Sequence, residues 1–109
     1  ALRQQILDAL ETVDVLVLPT GPVTAPPVES SPGIQSKEHA LKGLADRISF
    51  TGPFNLAGTP ALSVPCGFSS AGMPMGLQIV GRPFAEETVL KVAHAYEQNT
   101  DWHNRRAPI

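Results

Sequence analysis

The chain has 109 residues, 42% of them hydrophobic and 17% charged, with a formal net charge of −2. That size suits one folded domain with a core of its own. The scattered charge speaks against nucleic acid or an anionic membrane surface as the main partner. The longest apolar run, near Val13 to Leu18, is far too short to span a bilayer. No secretory leader is visible at Ala1, and the single Cys66 can form no internal disulfide. A reducing cytoplasm is the expected compartment.

Residues 2–12 predict a helix, because Leu2, Ile6, Leu7 and Leu10 recur on one face. Residues 14–18, Asp14-Val15-Leu16-Val17-Leu18, predict a short strand that ends at Pro19. Its nearly continuous apolarity predicts burial on both faces, as in a parallel or mixed sheet. Residues 19–35 hold Pro19, Gly21, Pro22, Pro26, Pro27, Pro32 and Gly33, which predicts a long loop. Such a loop is either a substrate-facing segment or a plain surface connector. Residues 36–48 predict a second helix with Leu41, Leu44, Ala45 and Ile48 on one side. Gly43 weakens it by roughly 1 kcal/mol relative to Ala.

The stretch Phe50 to Phe68 is dense in turn residues, and Asn55 to Gly58 allows at most one helical turn. Residues 61–65 and 75–80 predict two strands joined by the loop 69–74, an antiparallel hairpin. Residues 85–98 form the strongest helical pattern, with Val89, Val92, Ala93 and Tyr96 on one face. Glu86 and Glu87 favour its N-terminus, and Trp102 to Ile109 form a short tail.

The expected fold class is therefore α/β, in a single domain 1–109. It has a small mixed sheet of about three strands (14–18, 61–65, 75–80), flanked by helices at 2–12, 36–48 and 85–98. Each fully buried Val or Leu contributes roughly 1.5–3 kcal/mol. Leaving several exposed would take much of a stability margin of about 5–15 kcal/mol. Further strands or helices from a longer polypeptide are expected to cover this sheet. The chain alone is expected to self-associate through an uncovered face or edge.

Catalytic chemistry is sparse. His39, His94 and His103 stand far apart, and no metal-ligand spacing links them to Cys66. No glycine-rich phosphate loop is present, so neither a metal nor a cofactor is expected. Cys66 follows an apolar strand with nothing nearby to lower its pKa, so core packing is its simplest role. Ser30-Ser31 and Ser69-Ser70 suit turns, Lys37 and Lys91 suit solvated helix faces, and Glu86-Glu87 suits a helix start. The residue inventory stops at an α/β domain without a self-contained active site.

FTGPFNLAGTPALSVPCGF (Phe50 to Phe68) carries an ordered N-L-x-G-x-P-A-x-S-V-P-x-G core at Asn55 to Gly67. G-L-Q-x-V-G follows at Gly76 to Gly81, and DVLVLPTGPVTAPP precedes both. Together these resemble the C-terminal end of the amidase signature family, over nearly the whole chain and least between Glu29 and Arg47. The resemblance implies a parent enzyme with a large mixed sheet covered by helices. It implies hydrolysis of small-molecule carboxamides through a Ser–cis-Ser–Lys triad, with an acyl-enzyme on one serine and backbone amides holding the oxyanion. Those residues belong to a GGSSGG-type segment and an upstream lysine, neither of which is here. Ser69-Ser70 lies between Phe68 and Ala71 and does not match. No catalytic residue is therefore assigned to this chain, which is expected to be inactive alone.

One family branch is the A subunit of an aminoacyl-tRNA amidotransferase. By the resemblance it carries an acid, which grips the substrate's amino group, two positions before the Phe of F-T-x-P-x-N-L. That position is Ile48 here. An aliphatic side chain cannot pair with an ammonium, so a less polar amide than free glutamine is expected. The substrate-pocket candidates are Thr20, Ile48, Thr51, Phe54 and Asn55, with Ile48 and Phe54 as apolar contacts. Asn55 has the competing role of a helix-start or turn hydrogen bond. Gln78 is expected to satisfy backbone groups within the sheet, and Arg82 to be a solvated charge at a strand end. Two alternatives to a general amidase remain: a component of the amidotransferase, or a non-catalytic binding or assembly module. A Cys-dependent hydrolase makes a separate claim: Cys66→Ser in the full-length parent should keep most of the amide-hydrolysing activity, and its abolition in a rate assay would restore that reading.

Overall fold

A computed structural model describes residues 1–26 and 37–109, except the side chains of His39 and Ala40. The expectations for 27–35, and for a helix start at 36, lie outside the described residues. In chain order come α1 (Leu2–Ala9), β1 (Val15–Pro19), α2 (Lys37–Ile48), α3 (Gly52–Ala57), β2 (Ala61–Phe68), β3 (Pro74–Gly81) and α4 (Glu86–Gln98). A 3-10 turn at Trp102–Asn104 follows.

The strands form one sheet in the order β1-β3-β2, and both pairings are antiparallel. The β2–β3 hairpin is as expected. The parallel or mixed sheet is not what these strands make among themselves. β1 is joined to β3 across the loop, α2, α3 and β2, so the connection runs antiparallel without a crossover helix between parallel neighbours. As an edge strand β1 is also not buried on both faces: Val17 is 54% exposed. Pro65, expected to close β2, lies inside it and pairs with Gly76. An edge strand tolerates proline because its missing N–H faces outward. Directly after Pro65 the register slips, so that Gly67 pairs with Met75 and Cys66 is left as an extra residue, a β-bulge.

Alternation along β3 divides the core between two faces. On one face Val80 packs with Ile6, Leu10, Phe54 and Ala57, and Leu16 and Leu18 join them. On the other, Ile79 packs with Val64, Val89 and Ala93, bordered by Leu62 and Leu77. Ile79 and Val80 are both completely buried. The result is three layers, with α1 and α3 on one side and α4 on the other. α4 approaches closely at Gly81, where an added Cβ would lie 2.6 Å from Val89 Cγ2. α2 has the expected apolar stripe, yet Leu41, Leu44 and Ile48 all remain exposed.

α1 ends sooner than its apolar spacing suggests, and the reason is Arg82. Its Nε donates to the Leu10 carbonyl at 2.9 Å and its Nη2 to the Val13 carbonyl at 2.8 Å. Carbonyls at a helix C-terminus lack intrahelical partners, and a guanidinium can satisfy two of them at once. Arg82 is therefore a cap that ties α1 to the end of β3, not a free solvated charge. Arg3 does the converse, donating from α1 to the Ala57 carbonyl at the end of α3. Arg82→Ala should lower the unfolding free energy by about 1–2 kcal/mol in chemical denaturation. Arg82→Lys should recover only part of it, because one ammonium cannot reproduce the fork.

Candidate functional site

The end of the sheet that carries Pro19, Ser63 and Gly76 is polar where the rest is apolar. Directly opposed residues of antiparallel strands share a face. Leu18, Gln78 and Ser63 form one such row, and Thr20 extends β1 by donating its N–H to the Gly76 carbonyl at 3.0 Å. The Thr20 and Ser63 hydroxyls meet at 2.6 Å. Gly76 leaves the room they occupy, since a Cβ there would come within 2.7 Å of Ser63 Oγ and 2.8 Å of Thr20 Oγ1. Gln78, 3% exposed, donates from Nε2 to the Phe50 carbonyl at 2.8 Å. It serves a backbone group as expected, but on the segment before α3 and not within the sheet.

Two hollows adjoin this cluster. A cleft of about 190 Å³ is lined by Thr20, Thr51, Asn55, Ser63 and Gln78, with Ala61 and Leu62. Its polar groups are hydroxyls and amides without formal charge, which suit a neutral hydrogen-bonding group. A larger and more apolar hollow of about 550 Å³ lies between the Gly21–Ala25 loop and β3, with Val17, Phe50, Met75 and Leu77 in its walls.

The structure thus gathers three of the five pocket candidates, Thr20, Thr51 and Asn55. Asn55 sits within α3, exposed, its N–H bonded to the Thr51 carbonyl at 3.3 Å. Phe54, on the same short helix, turns the other way and is 8% exposed inside the core. Ile48 ends α2 at 44% exposure, outside the lining of both hollows. Sequence reasoning left Ser63 out of the site. The signal was a polar residue in each of two apolar strands, brought opposite one another by the hairpin register Ser63↔Gln78.

The described hydroxyls of Ser49, Ser63 and Ser69 are engaged with the Asp46 carbonyl, Thr20 and the Met73 amide. The ammonium of Lys91 pairs with Glu87 at 3.0 Å on the exposed face of α4. Among the described residues no group of three His, Cys, Asp or Glu side chains could hold a metal ion. Among them, too, no helix is long and apolar enough to cross a membrane.

The model of the family described as Amidase matches residues 1–90. The chain belongs to the amidase family. The A subunit of glutamyl-tRNA(Gln) amidotransferase from Geotalea daltonii is 46% identical over 99% of the chain and 21% of its own length. The protein of that name from Synechococcus sp. is 47% identical over 99% of the chain and 20% of its own length. The chain thus spans about a fifth of the curated relatives it matches. Among solved structures, the A subunit of the Thermotoga maritima glutamyl-tRNA(Gln) amidotransferase superposes with a TM-score of 0.75 at 38% identity, over 91% of this chain and 20% of that one. A 6-aminohexanoate cyclic dimer hydrolase superposes with a TM-score of 0.79 at 32% identity, over 97% of this chain and 23% of that one.

The opposite orientations of Phe54 and Asn55 give a test of the site. Phe54→Ala should act through the core, lowering stability by about 3–5 kcal/mol in chemical denaturation. Asn55→Ala, at an exposed side chain, should leave the unfolding midpoint nearly unchanged. Equal shifts of the midpoint in the two variants would reverse that assignment.

Proposed function

We propose that this chain forms the C-terminal wall of an amide-handling active centre, in a parent protein of the amidotransferase A-subunit type. The observation that carries the reading is identity of 46% to 47% with such proteins along 99% of the chain. The geometry agrees with a wall and not a catalyst. The cleft beside Thr20, Ser63 and Gln78 is lined by uncharged groups that suit an amide, while the serine hydroxyl is paired with a threonine and not with a base. The nucleophile, its lysine and the oxyanion donors then lie on the remainder of the parent. In this reading a tRNA-borne acceptor belongs to the reaction, contrary to the expectation from charge. With a net charge of −2, this segment is a poor surface for its phosphates.

Two observations favour the broader amidase reading. By the resemblance, Ile48 stands where the amidotransferase branch has an acid, and an aliphatic side chain offers no counter-charge to an ammonium. The 6-aminohexanoate cyclic dimer hydrolase, whose name is that of an amide of another kind, superposes over nearly the whole chain.

Rates of hydrolysis by the full-length parent with its companion subunits, followed as ammonia from primary amides and as new amino groups from substituted ones, decide between the two. Glutamine should be turned over, and the isolated 109-residue chain should turn over nothing. Turnover of neutral amides with glutamine refused would favour the broader amidase. Steady turnover by the isolated chain would defeat both readings.

A further inference from the structure

We infer that Thr20, Ser63 and Gln78 are positioning residues, a two-point clamp that holds the two walls of the larger hollow that lie outside the sheet on the β2–β3 hairpin; this rests on the proposed function. The sheet supplies the rest of the lining, through Val17, Met75 and Leu77 among others. One of the two walls is the loop Gly21–Ala25, which leaves the edge strand β1. The other is the Phe50–Thr51 segment, between α2 and α3. Each wall is fixed at one point by a side chain or hydroxyl of the hairpin. Thr20, which leads from β1 into the loop, is held by the 2.6 Å contact with Ser63 Oγ and by its N–H on the Gly76 carbonyl at 3.0 Å. Phe50 is held by the 2.8 Å bond from Gln78.

Four further observations make these contacts more than incidental. Ser63 and Gln78 are direct partners across the hairpin, so one rigid row carries both attachment points. Gly76 has no side chain at the place where the two hydroxyls meet, and any Cβ would push them apart. Gln78 is almost fully buried, which makes its amide costly to leave unpaired and fixes its aim. Thr20 also faces the small cleft while Gly21 borders the large hollow, so a shift at Thr20 changes both spaces together. Misplacing a pocket wall by about 1 Å can reduce a rate by about a hundredfold. The clamp therefore acts on how well a substrate is held, without touching the reacting atoms.

The test uses the full-length parent with Thr20→Val, Ser63→Ala and Gln78→Met, and with Thr20→Ser as the conservative variant. KM, kcat, Tm and hydrogen exchange over residues 20–25 and 50–51 are measured. Thr20→Val and Ser63→Ala should each raise KM roughly tenfold or more, with Tm within about 3 °C of the parent. Their double variant should be no worse than either, because one contact is lost in both cases. Thr20→Ser should restore KM. Exchange should quicken at 20–25 in the hydroxyl variants and at 50–51 in Gln78→Met. Unchanged KM in folded variants, or loss that follows Tm alone, overturns the inference. If the parent acts on neither glutamine nor neutral amides, the proposed function falls and exchange judges the clamp. Local quickening then supports the clamp as a loop anchor, and unchanged exchange removes it.

Discussion

Everything in this fold hangs on the double burial of β3. Ile79 and Val80 are neighbours in sequence, point to opposite sides of the sheet, and are both excluded from water. A strand in that position needs a partner on each edge and a helix layer on each face. β1 and β2 supply the edges, α1 with α3 one layer, and α4 the other. The central strand is thus the most constrained element, and its hydrogen-bonding row at Gln78 inherits that rigidity. Side chains near the sheet's polar end can be aimed because the strand under them cannot shift.

The helical caps extend the same constraint outward. Arg82 leaves the end of β3 and reaches back to carbonyls that follow α1, while Arg3 on α1 reaches the last turn of α3. The layer over one face is therefore stitched to the sheet through polar contacts as well as through Leu10 and Phe54. Among the described residues no arginine cap of this kind anchors α2, whose leucines face outward. Among the described residues, α2 leaves an apolar stripe exposed and β1 and β2 each leave one edge unpaired, surface of the kind that marks contact sites.

Much of this was legible without coordinates. α4 was legible because Val89, Val92, Ala93 and Tyr96 repeat at helical spacing, and the hairpin because two apolar runs flank a short Gly-containing loop. The place of β1 was not. Asp14 to Leu18 looks the same whether it runs at an edge or in the middle, and pairing direction depends on residues far away in sequence. The site divided along similar lines. Thr20 follows a strand and Thr51 precedes a helix, and the fold brings both beside Asn55 of α3 at one small cleft. Phe54 was misjudged as a pocket contact because a helix of six residues turns adjacent side chains through about 100°, and only packing shows which one faces inward. Ile48 was singled out by the resemblance, and the end of α2 sets it apart from the three residues that cluster.

The bulge at Cys66 has its own consequence. Without the extra residue, the end of β2 would keep the phase of Ser63 and Pro65, and Gly67 would look toward the layer of α1 and α3. With it, Gly67 changes sides and faces Trp102, whose ring would stand 3.8 Å from a Cβ at that glycine. Phe68 then takes Trp102 edge-on at 6.2 Å, and the Arg105 guanidinium lies 5.0 Å from the centre of the Phe68 ring. The thiol is thus a spacer, a count of one that sets the parity of the strand, and the final turn of the chain finds its landing ground only because that count is odd.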